Sequence, residues 1–202
     1  VEAGLRSFDR TMPEENNRLA IDAMSDLLFC SEESAVVNLE RENITEGIHL
    51  VGNTMIDSLI RMMPLIEKEP IHDSVPGTFG IVTLHRPSNV DSAESLKRNL
   101  EFLGEVAEQC PLVLPLHHRT KAALESFGLQ DAVPGGITIV PPLGYVPFLS
   151  LMRLAKFLLT DSGGIQEETT ALGVPCITIR ENTERPITIG QGTNTLAGTA
   201  DR

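Results

Sequence analysis

The sequence predicts an α/β fold built on parallel sheets. Short apolar runs rich in Ile, Val and Leu alternate along the chain with segments of helical periodicity. Runs of this kind are typical of strands that are buried on both faces, as strands of a parallel sheet are. Because right-handed crossovers through helices join such strands, the alternation favours a doubly wound, Rossmann-like arrangement.

The first third of the chain supplies only part of such a domain. The patterns predict helices over 13–25, 32–42 and 54–66, and short strands over 26–30 and 49–52. Two strands are too few for a sheet of ordinary size. Residues 67–78 are polar and contain two prolines and a glycine, which predicts a linker. We therefore interpret 1–66 as the C-terminal part of an N-terminal Rossmann-like domain and 67–202 as a second one.

The second domain is predicted to be nearly whole. Its strands are expected at 79–85, 112–117, 137–140, 157–161 and 175–180. Its helices are expected at 92–109, 119–126, 146–154 and 164–172. Both ends of the chain look cut, since it begins without Met and stops just after a glycine-rich stretch.

Charge and composition exclude several classes of partner. The 202 residues carry a net charge of −12 and a pI near 4.8, which argues against nucleic acid or an anionic membrane surface. No apolar run approaches the roughly 20 residues of a membrane span. Three cysteines without metal-like spacing are typical of buried thiols in a reducing cytoplasm. We expect a cytoplasmic protein without metal.

Polar residues follow four of the predicted strands. Ligands of open α/β sheets bind beyond the carboxyl ends of the strands. The polar groups at those ends are His85-Arg86, His117-His118-Arg119, Asp161-Ser162-Gly163-Gly164 and the segment from Arg180 to Arg185. Their convergence predicts a ligand site at this edge.

The segment 155–168 is the most informative of these strand ends. An apolar strand stops at a polar corner, and Gly163 and Gly164 open a helix whose N–H groups can bind phosphate. Glu168 lies one turn further along that helix, where its carboxylate can accept hydrogen bonds from two ribose hydroxyls. The pattern favours a nucleoside diphosphate. The alternative is an ordinary strand–turn–helix corner with Ser162 as its N-cap.

Two acidic residues near the start are candidates for proton transfer. Glu2 and Glu14 flank a loop, and Arg18 follows Glu14 at i+4, where it can orient the carboxylate. A structural interpretation competes with this one. Thr11 and Glu14 have the spacing of a capping box, and Glu14 and Arg18 that of a helical ion pair.

Three other side chains have both a functional and a structural interpretation. His85 can transfer protons or contact phosphate, or it can end its strand with a backbone partner. Arg185 can neutralise a diphosphate or simply lie in a solvated loop. Phe148 can stack on a base or pack in the core. The adjacent His117 and His118 alternate faces and are poor ligands of a single metal ion.

Six motifs occur in an order that resembles the non-hydrolysing UDP-N-acetylglucosamine 2-epimerases. They are VEAGLRS at 1–7, MPEENNR at 12–18, VGNTMID at 51–57, TLHR at 83–86, TDSGGIQEE at 160–168 and TERP at 183–186. The resemblance covers nearly the whole chain. It implies two Rossmann-like domains facing a cleft, as in GT-B enzymes, with residues 67–202 as the UDP-binding domain.

The resemblance also implies a reaction. UDP-N-acetylglucosamine would be converted reversibly to UDP-N-acetylmannosamine, a step that feeds polysaccharide biosynthesis. UDP would leave by anti elimination across carbons 1 and 2, and it would add back with carbon 2 inverted. No cofactor is implied, the substrate is a UDP-sugar, and the full-length protein is expected to be a homodimer.

Site residues carry over position by position. Glu2, Glu14 and His85 match the catalytic residues of the family. The expected substrate-binding residues are Arg18, Phe148, Ser162, Gly163, Gly164, Glu168 and Arg185. Arg86 and His117 match positions where bacterial members bind a second, activating UDP-N-acetylglucosamine. Ser88 stands where the family often has Glu, which puts this activation in doubt.

Other functions remain open from the sequence. They include epimerisation of another UDP-N-acetyl sugar, hydrolytic epimerisation, GT-B glycosyl transfer and nucleotide-sugar binding without catalysis. The catalytic aspartate of the family would precede Val1, and its last helices would follow Arg202. We therefore expect the 202-residue chain alone to have little or no epimerase activity.

Overall fold

The computed structural model describes residues 2–71 and 73–198, and it confirms the α/β class with parallel sheets. The helices are α1 (Pro13–Met24), α2 (Glu33–Arg41), α3 (Thr54–Ile66), α4 (Pro87–Val90), α5 (Ala93–Gln109), α6 (His118–Phe127), α7 (Tyr145–Met152), α8 (Gly163–Leu172) and α9 (Pro186–Gly190). The strands are β1 (Leu28–Cys30), β2 (Ile48–Leu50), β3 (Gly80–Thr83), β4 (Leu112–Pro115), β5 (Ile137–Val140), β6 (Leu158–Thr160), β7 (Cys176–Thr178) and β8 (Asn194–Leu196).

The larger sheet has six parallel strands in the order β5-β4-β3-β6-β7-β8. The order reverses between β3 and β6, so consecutive crossovers leave the sheet in opposite directions at that point. A crevice forms there beyond the carboxyl ends of the strands, and it is the usual ligand site of doubly wound folds. His85-Arg86 and Asp161–Gly164 follow these two strands.

Helices cover both faces of this sheet. On one face, apolar side chains of α5 and α6 pack against Val82, Leu114 and Leu159. On the other face, α3, α7 and α8 pack against Ile81, Val113 and Leu158. Because neighbouring strand residues point to opposite faces, strands β3, β4 and β6 contribute side chains to both cores. This explains their continuous apolar runs.

The first third of the chain forms a smaller unit. β1 and β2 pair in parallel as a two-stranded sheet, which confirms that few strands are available here. A small core surrounds it, contributed by Ala3, Leu5, Leu28, Cys30, Ala35 and Leu39. Helix α3 leaves this unit and buries Leu59 and Ile66 beneath the six-stranded sheet. This helix therefore fixes the small unit against the larger one.

The predicted capping box at the start of α1 is wrong. Met12 takes the N-cap position without a side-chain hydrogen bond, and Pro13 begins the helix. The hydroxyl of Thr11 donates instead to Asp9 Oδ1 at 2.6 Å. Arg18 turns toward Glu15 and Glu184, each 3.7 Å from its Nη1 atom. Glu14 is thereby left with its carboxylate on an exposed helix start.

Sequence patterns missed four short elements. Helices α4 and α9 each begin at a proline, a 3-10 helix lies at Gln130–Ala132, and β8 follows the glycine-rich stretch. Elements of three to five residues carry too few positions for a periodicity to show. Among the described residues, no helix has both the length and the apolar character needed to cross a bilayer.

Candidate active site

Asp161 organises the crevice between β3 and β6. Its side chain is fully buried, and its Oδ2 atom accepts hydrogen bonds from the backbone N–H groups of His85 and Arg86 at 2.9 and 2.8 Å. Asn89 donates to the same oxygen at 3.0 Å. The carboxylate therefore ties the end of β3 to the end of β6. Sequence reasoning placed Asp161 in the corner without a role of its own.

His85 lies at the mouth of this crevice with its side chain about one-third exposed. Its Nδ1 atom is 3.1 Å from Asp161 Oδ1, an electrostatic contact rather than an aligned hydrogen bond. A carboxylate at Nδ1 orients the ring and leaves Nε2 for proton transfer or for a ligand. The ring of His117 is 5.1 Å from that of His85. Burial, together with the nearby His118 and His85, lowers the pKa of His117.

A cleft of about 670 Å³ opens beside these histidines. Glu14, His85, Arg86, Arg119 and Arg180 contribute to its lining. The cleft thus combines three arginines and His85 with three carboxylates, those of Asp9, Glu14 and Glu181. A negatively charged ligand with a transferable proton suits this combination.

Glu184 holds the cations of this cleft in place. Arg180 donates to both of its carboxylate oxygens at 3.0 Å, and Arg18 and Arg86 lie 3.7 and 4.0 Å away. Although burial acts to raise it, the hydrogen bonds and charge of Arg180 lower the pKa of Glu184 to about 2. Sequence reasoning missed Glu184, and its available signal was the i, i+4 spacing from Arg180.

Two half-buried glycines, Gly163 and Gly164, open helix α8. A Cβ atom on Gly163 would meet only Glu184 Oε2, at 3.7 Å, and one on Gly164 would meet the flexible end of Met55. Packing within the protein therefore does not require glycine at either position. Ser162 takes the N-cap position, but its side chain makes no capping hydrogen bond. Both features leave the helix N–H groups accessible to an anion.

Glu168 lies one turn further along α8 and is almost fully buried. Burial raises the pKa of its carboxyl, and a hydrogen bond with Tyr145 partly offsets this. Burial and the nearby carboxyl of Glu168 raise the pKa of Tyr145 to about 12. Phe148, which lies on α7 with Tyr145, is half-buried against the apolar core.

Glu2 and Arg185 form an ion pair next to Glu167 of α8. Arg185 is buried, and its Nη2 atom donates to Glu2 Oε1 at 3.0 Å. Its Nε atom lies 2.9 Å from Glu167 Oε2. The structure therefore places Arg185 between two carboxylates, and it places Glu14 on the cleft beside His85.

The family comparison fits this geometry. The family model described as UDP-N-acetylglucosamine 2-epimerase matches residues 1–202. The chain belongs to this family. The predicted resemblance is thereby confirmed over the full 202 residues.

Two curated relatives and one solved structure illustrate the similarity. A UDP-N-acetylglucosamine 2-epimerase from Methanocaldococcus jannaschii is 44% identical over 98% of this chain and 57% of its own length. A UDP-2,3-diacetamido-2,3-dideoxy-D-glucuronate 2-epimerase from Pseudomonas aeruginosa is 38% identical over 99% and 56%. The crystal structure of the M. jannaschii enzyme with UDP-GlcNAc and UDP superposes with a TM-score of 0.91, at 44% identity, over 100% of this chain and 58% of that one. The chain therefore spans somewhat more than half the length of these relatives.

Proposed function

We propose that this chain is the UDP-binding and proton-transferring part of an epimerase that inverts carbon 2 of UDP-N-acetylglucosamine. The observation that carries the proposal is the corner at Asp161–Gly164, where an accessible helix start lies beside an arginine-lined cleft containing His85 and Glu14. The M. jannaschii relative bound to UDP-GlcNAc and UDP supports it.

The proposed reaction assigns a task to each part of the site. The α8 start and the cations of the cleft stabilise the negative charge that develops on the leaving diphosphate. Glu168 accepts hydrogen bonds from the ribose, and Phe148 lies against the uracil. Glu2, Glu14 and His85 exchange the weakly acidic proton of carbon 2. Closure over the intermediate excludes water and keeps UDP in place for re-addition.

We also propose a division into domains 1–66 and 67–202, a homodimer of the full-length protein and a cytoplasmic location. Arg86 and His117 are proposed to bind a second, activating UDP-N-acetylglucosamine, and Arg86 lines the cleft. Arg18 and Ser162 complete the proposed substrate contacts. Because Arg18 lies beside Glu184, we propose that it acts on the substrate indirectly, through the charges near the cleft.

Incubation with UDP-N-acetylglucosamine in heavy water tests the reaction. We expect deuterium on carbon 2 of both epimers without any acceptor, in the complete protein with whatever its gene encodes before Val1 and after Arg202. The 202-residue chain alone is expected to show little turnover. Glycosyl transfer would leave carbon 2 unlabelled, and release of free N-acetylmannosamine would indicate a hydrolysing enzyme.

Epimerisation of a different UDP-N-acetyl sugar is the second candidate. The 38% identity to the diacetamido-glucuronate epimerase favours considering it. A parallel assay with that uronic acid nucleotide distinguishes the two, because the true substrate should have the higher kcat/KM. Turnover of neither sugar, combined with UDP binding, would favour a binding protein without catalysis.

The glycines of α8 allow a separate test of nucleotide binding. Gly163→Ala and Gly164→Ala should leave stability within about 1 kcal/mol, because neither Cβ meets a rigid group. Gly163→Ala should weaken UDP binding about 10-fold or more, since its methyl group lies beside Glu184 at the helix start, whereas the methyl group of Gly164→Ala points at Met55 and should change the affinity less. Calorimetric titration with UDP measures this, and Gly77→Ala, which meets nothing within 4 Å, is the matched control. Unchanged affinity in both α8 variants would contradict the assignment of the helix start.

A further inference from the structure

A second cavity, of about 280 Å³, borders α8 and shares no lining residue with the arginine-lined cleft. Ser31 and Asn53, which follow β1 and β2, line one side, and residues of α8 and α9 line the other. Two glutamates, Glu32 and Glu167, face this space. Both are more than nine-tenths buried, and each has a carboxylate oxygen without a hydrogen-bond partner among the described residues.

Arg185 links this cavity to Glu2. Its guanidinium donates from Nη2 to Glu2 Oε1 at 3.0 Å, while Nε lies 2.9 Å from Glu167 Oε2. Arg185 and Glu167 each expose only 7% of their side chains, whereas Glu2 exposes 34%. One buried guanidinium thus joins a buried carboxylate to a carboxylate that solvent can reach.

The backbone at Glu2 needs support from such contacts. Its φ angle is +62°, in the left-handed region that residues other than glycine rarely adopt. A strained conformation of this kind persists where surrounding contacts hold it. The N–H of Ala3 donates to Phe29 O at 3.1 Å, and the Arg185 contact fixes the side chain. The carboxylate of Glu2 is therefore held in one orientation.

We propose that Glu167 is a positioning residue, which acts through Arg185 to hold the carboxylate of Glu2 in place for proton transfer. The inference rests on the proposed function, because it takes Glu2 as a group that exchanges the proton of carbon 2. Glu167 itself reaches Arg185 rather than the cleft.

The charges around Glu167 make this support dependent on pH. The charged groups that face it are Arg185, Glu2 and Glu32. Burial raises its pKa to about 7; Arg185 offsets part of this, and Glu2 and Glu32 add to it. Below about pH 7, Glu167 is neutral and Arg185 pairs with Glu2 alone. Above it, the guanidinium of Arg185 is shared between the carboxylates of Glu167 and Glu2. The electrostatic surroundings of Glu2 should therefore change near neutral pH.

Coupling between the two carboxylates can be measured without catalysis. NMR of the protein labelled with ¹³C at the glutamate carboxyl follows the titration of Glu167, assigned through its absence in Glu167→Gln. Glu2→Gln removes a like charge and should lower the titration midpoint of Glu167 by a measurable fraction of a pH unit. Glu125→Gln, on the exposed face of α6, should leave it unchanged. A midpoint that does not respond to Glu2→Gln would overturn the proposed link.

Kinetics then distinguish positioning from a purely structural ion pair. In the complete protein, Glu167→Gln should lower kcat for carbon 2 exchange about 10- to 100-fold, because small misplacements of a catalytic group cost factors of this size. UDP affinity should stay within about twofold. The pH profile should lose its inflection near 7. Glu167→Asp, which keeps the charge, should recover part of the rate.

The matched control is Glu32→Gln, which changes a carboxylate in the same cavity that makes no ion pair with Arg185 among the described contacts. Its kcat should stay within about twofold of the wild type. Equal loss of kcat and UDP affinity in Glu167→Gln, or unchanged kcat, would contradict the positioning role. Absence of exchange in the wild-type protein would instead contradict the proposed function, and the NMR coupling would still decide whether Glu167 and Glu2 are linked.

Discussion

Glu184 and Glu167 are both buried glutamates beside an arginine, yet their pKa values lie near 2 and near 7. Glu184 receives two hydrogen bonds from Arg180 and has two further arginines within 4.0 Å. Glu167 shares a single guanidinium with Glu2 and has Glu32 nearby. Burial acts in the same direction on both, so the number of cations for each carboxylate decides the result.

This difference separates two kinds of charged region in one protein. Around Glu184 the cations outnumber the carboxylate, so guanidinium groups are available there to contact a diphosphate. Around Glu167 the carboxylates outnumber the cation, which leaves a group that titrates in the neutral range. The first arrangement suits binding, and the second suits the adjustment of a neighbouring proton-transfer group.

The largest expected effect comes from breaking the Glu184 cluster. Glu184→Gln should destabilise the protein by about 3–5 kcal/mol, because it leaves the buried Arg180 without its counter-charge. Urea unfolding at pH 7 measures the change. Glu125→Gln, which disrupts an exposed pair with Lys121, is the control and should stay within about 0.5 kcal/mol. A loss below about 1 kcal/mol for Glu184→Gln would contradict the strong coupling inferred for this cluster.

The second effect is a pH dependence of opposite sign at the two sites. The pKa of Glu167 is higher in the folded state, so between about pH 4.5 and 7 folding takes up a proton and stability falls as pH rises. The stability lost over this pH range is about 3 kcal/mol or less. For Glu184 the folded pKa is lower, so its contribution is complete above about 4.5 and is lost as pH falls toward 2.

Unfolding of wild type and Glu167→Gln at pH 5 and pH 8 checks the first half of this prediction. The free energy of unfolding of the variant, relative to that of the wild type, should be higher at pH 8 than at pH 5. Equal differences at both pH values would show that Glu167 does not change its charge in this range. Glu125→Gln, at an exposed position of α6, is the control and should differ from the wild type equally at both pH values.

The smallest effect concerns Glu168, a buried carboxylate whose hydrogen-bond donor is Tyr145. Tyr145→Phe should cost about 1–2 kcal/mol at pH 8, because an ionised group loses one hydrogen bond. The cost should shrink at low pH, where the carboxyl is neutral and needs the donor less. Urea unfolding at the two pH values measures it, and a cost that does not depend on pH would point to lost packing of the ring.

Local patterns in the sequence predicted most of the fold. The helix over 54–66 and the strand over 137–140 have the predicted bounds, and the other predicted strands lie within one to three residues of theirs. These elements carry clear periodicity and sharp breaks. The capping box at Thr11 failed because Asp9 competes for the same hydroxyl, an interaction that the capping pattern does not include.

Chemistry at the strand ends was also predictable, because parallel strands bring their carboxyl ends to one edge. This rule placed His85, the Asp161 corner and Arg180 together before any coordinates were known. The roles of Glu184 and Glu167 were not predictable in the same way. Their charges depend on partners such as Arg18, and the link from Arg185 to Glu2 spans 183 residues of sequence.

Sequence patterns alone predict the α/β class, the parallel strands, the family and the helix start at Gly163 and Gly164. Each of these depends on residue type and on spacing over a few turns. Which buried carboxylate is ionised depends instead on how many arginines reach it from other segments, and these contacts exist only in the folded chain. The physical reason is that charge interactions act through space, at distances of a few ångströms that the order of residues does not specify.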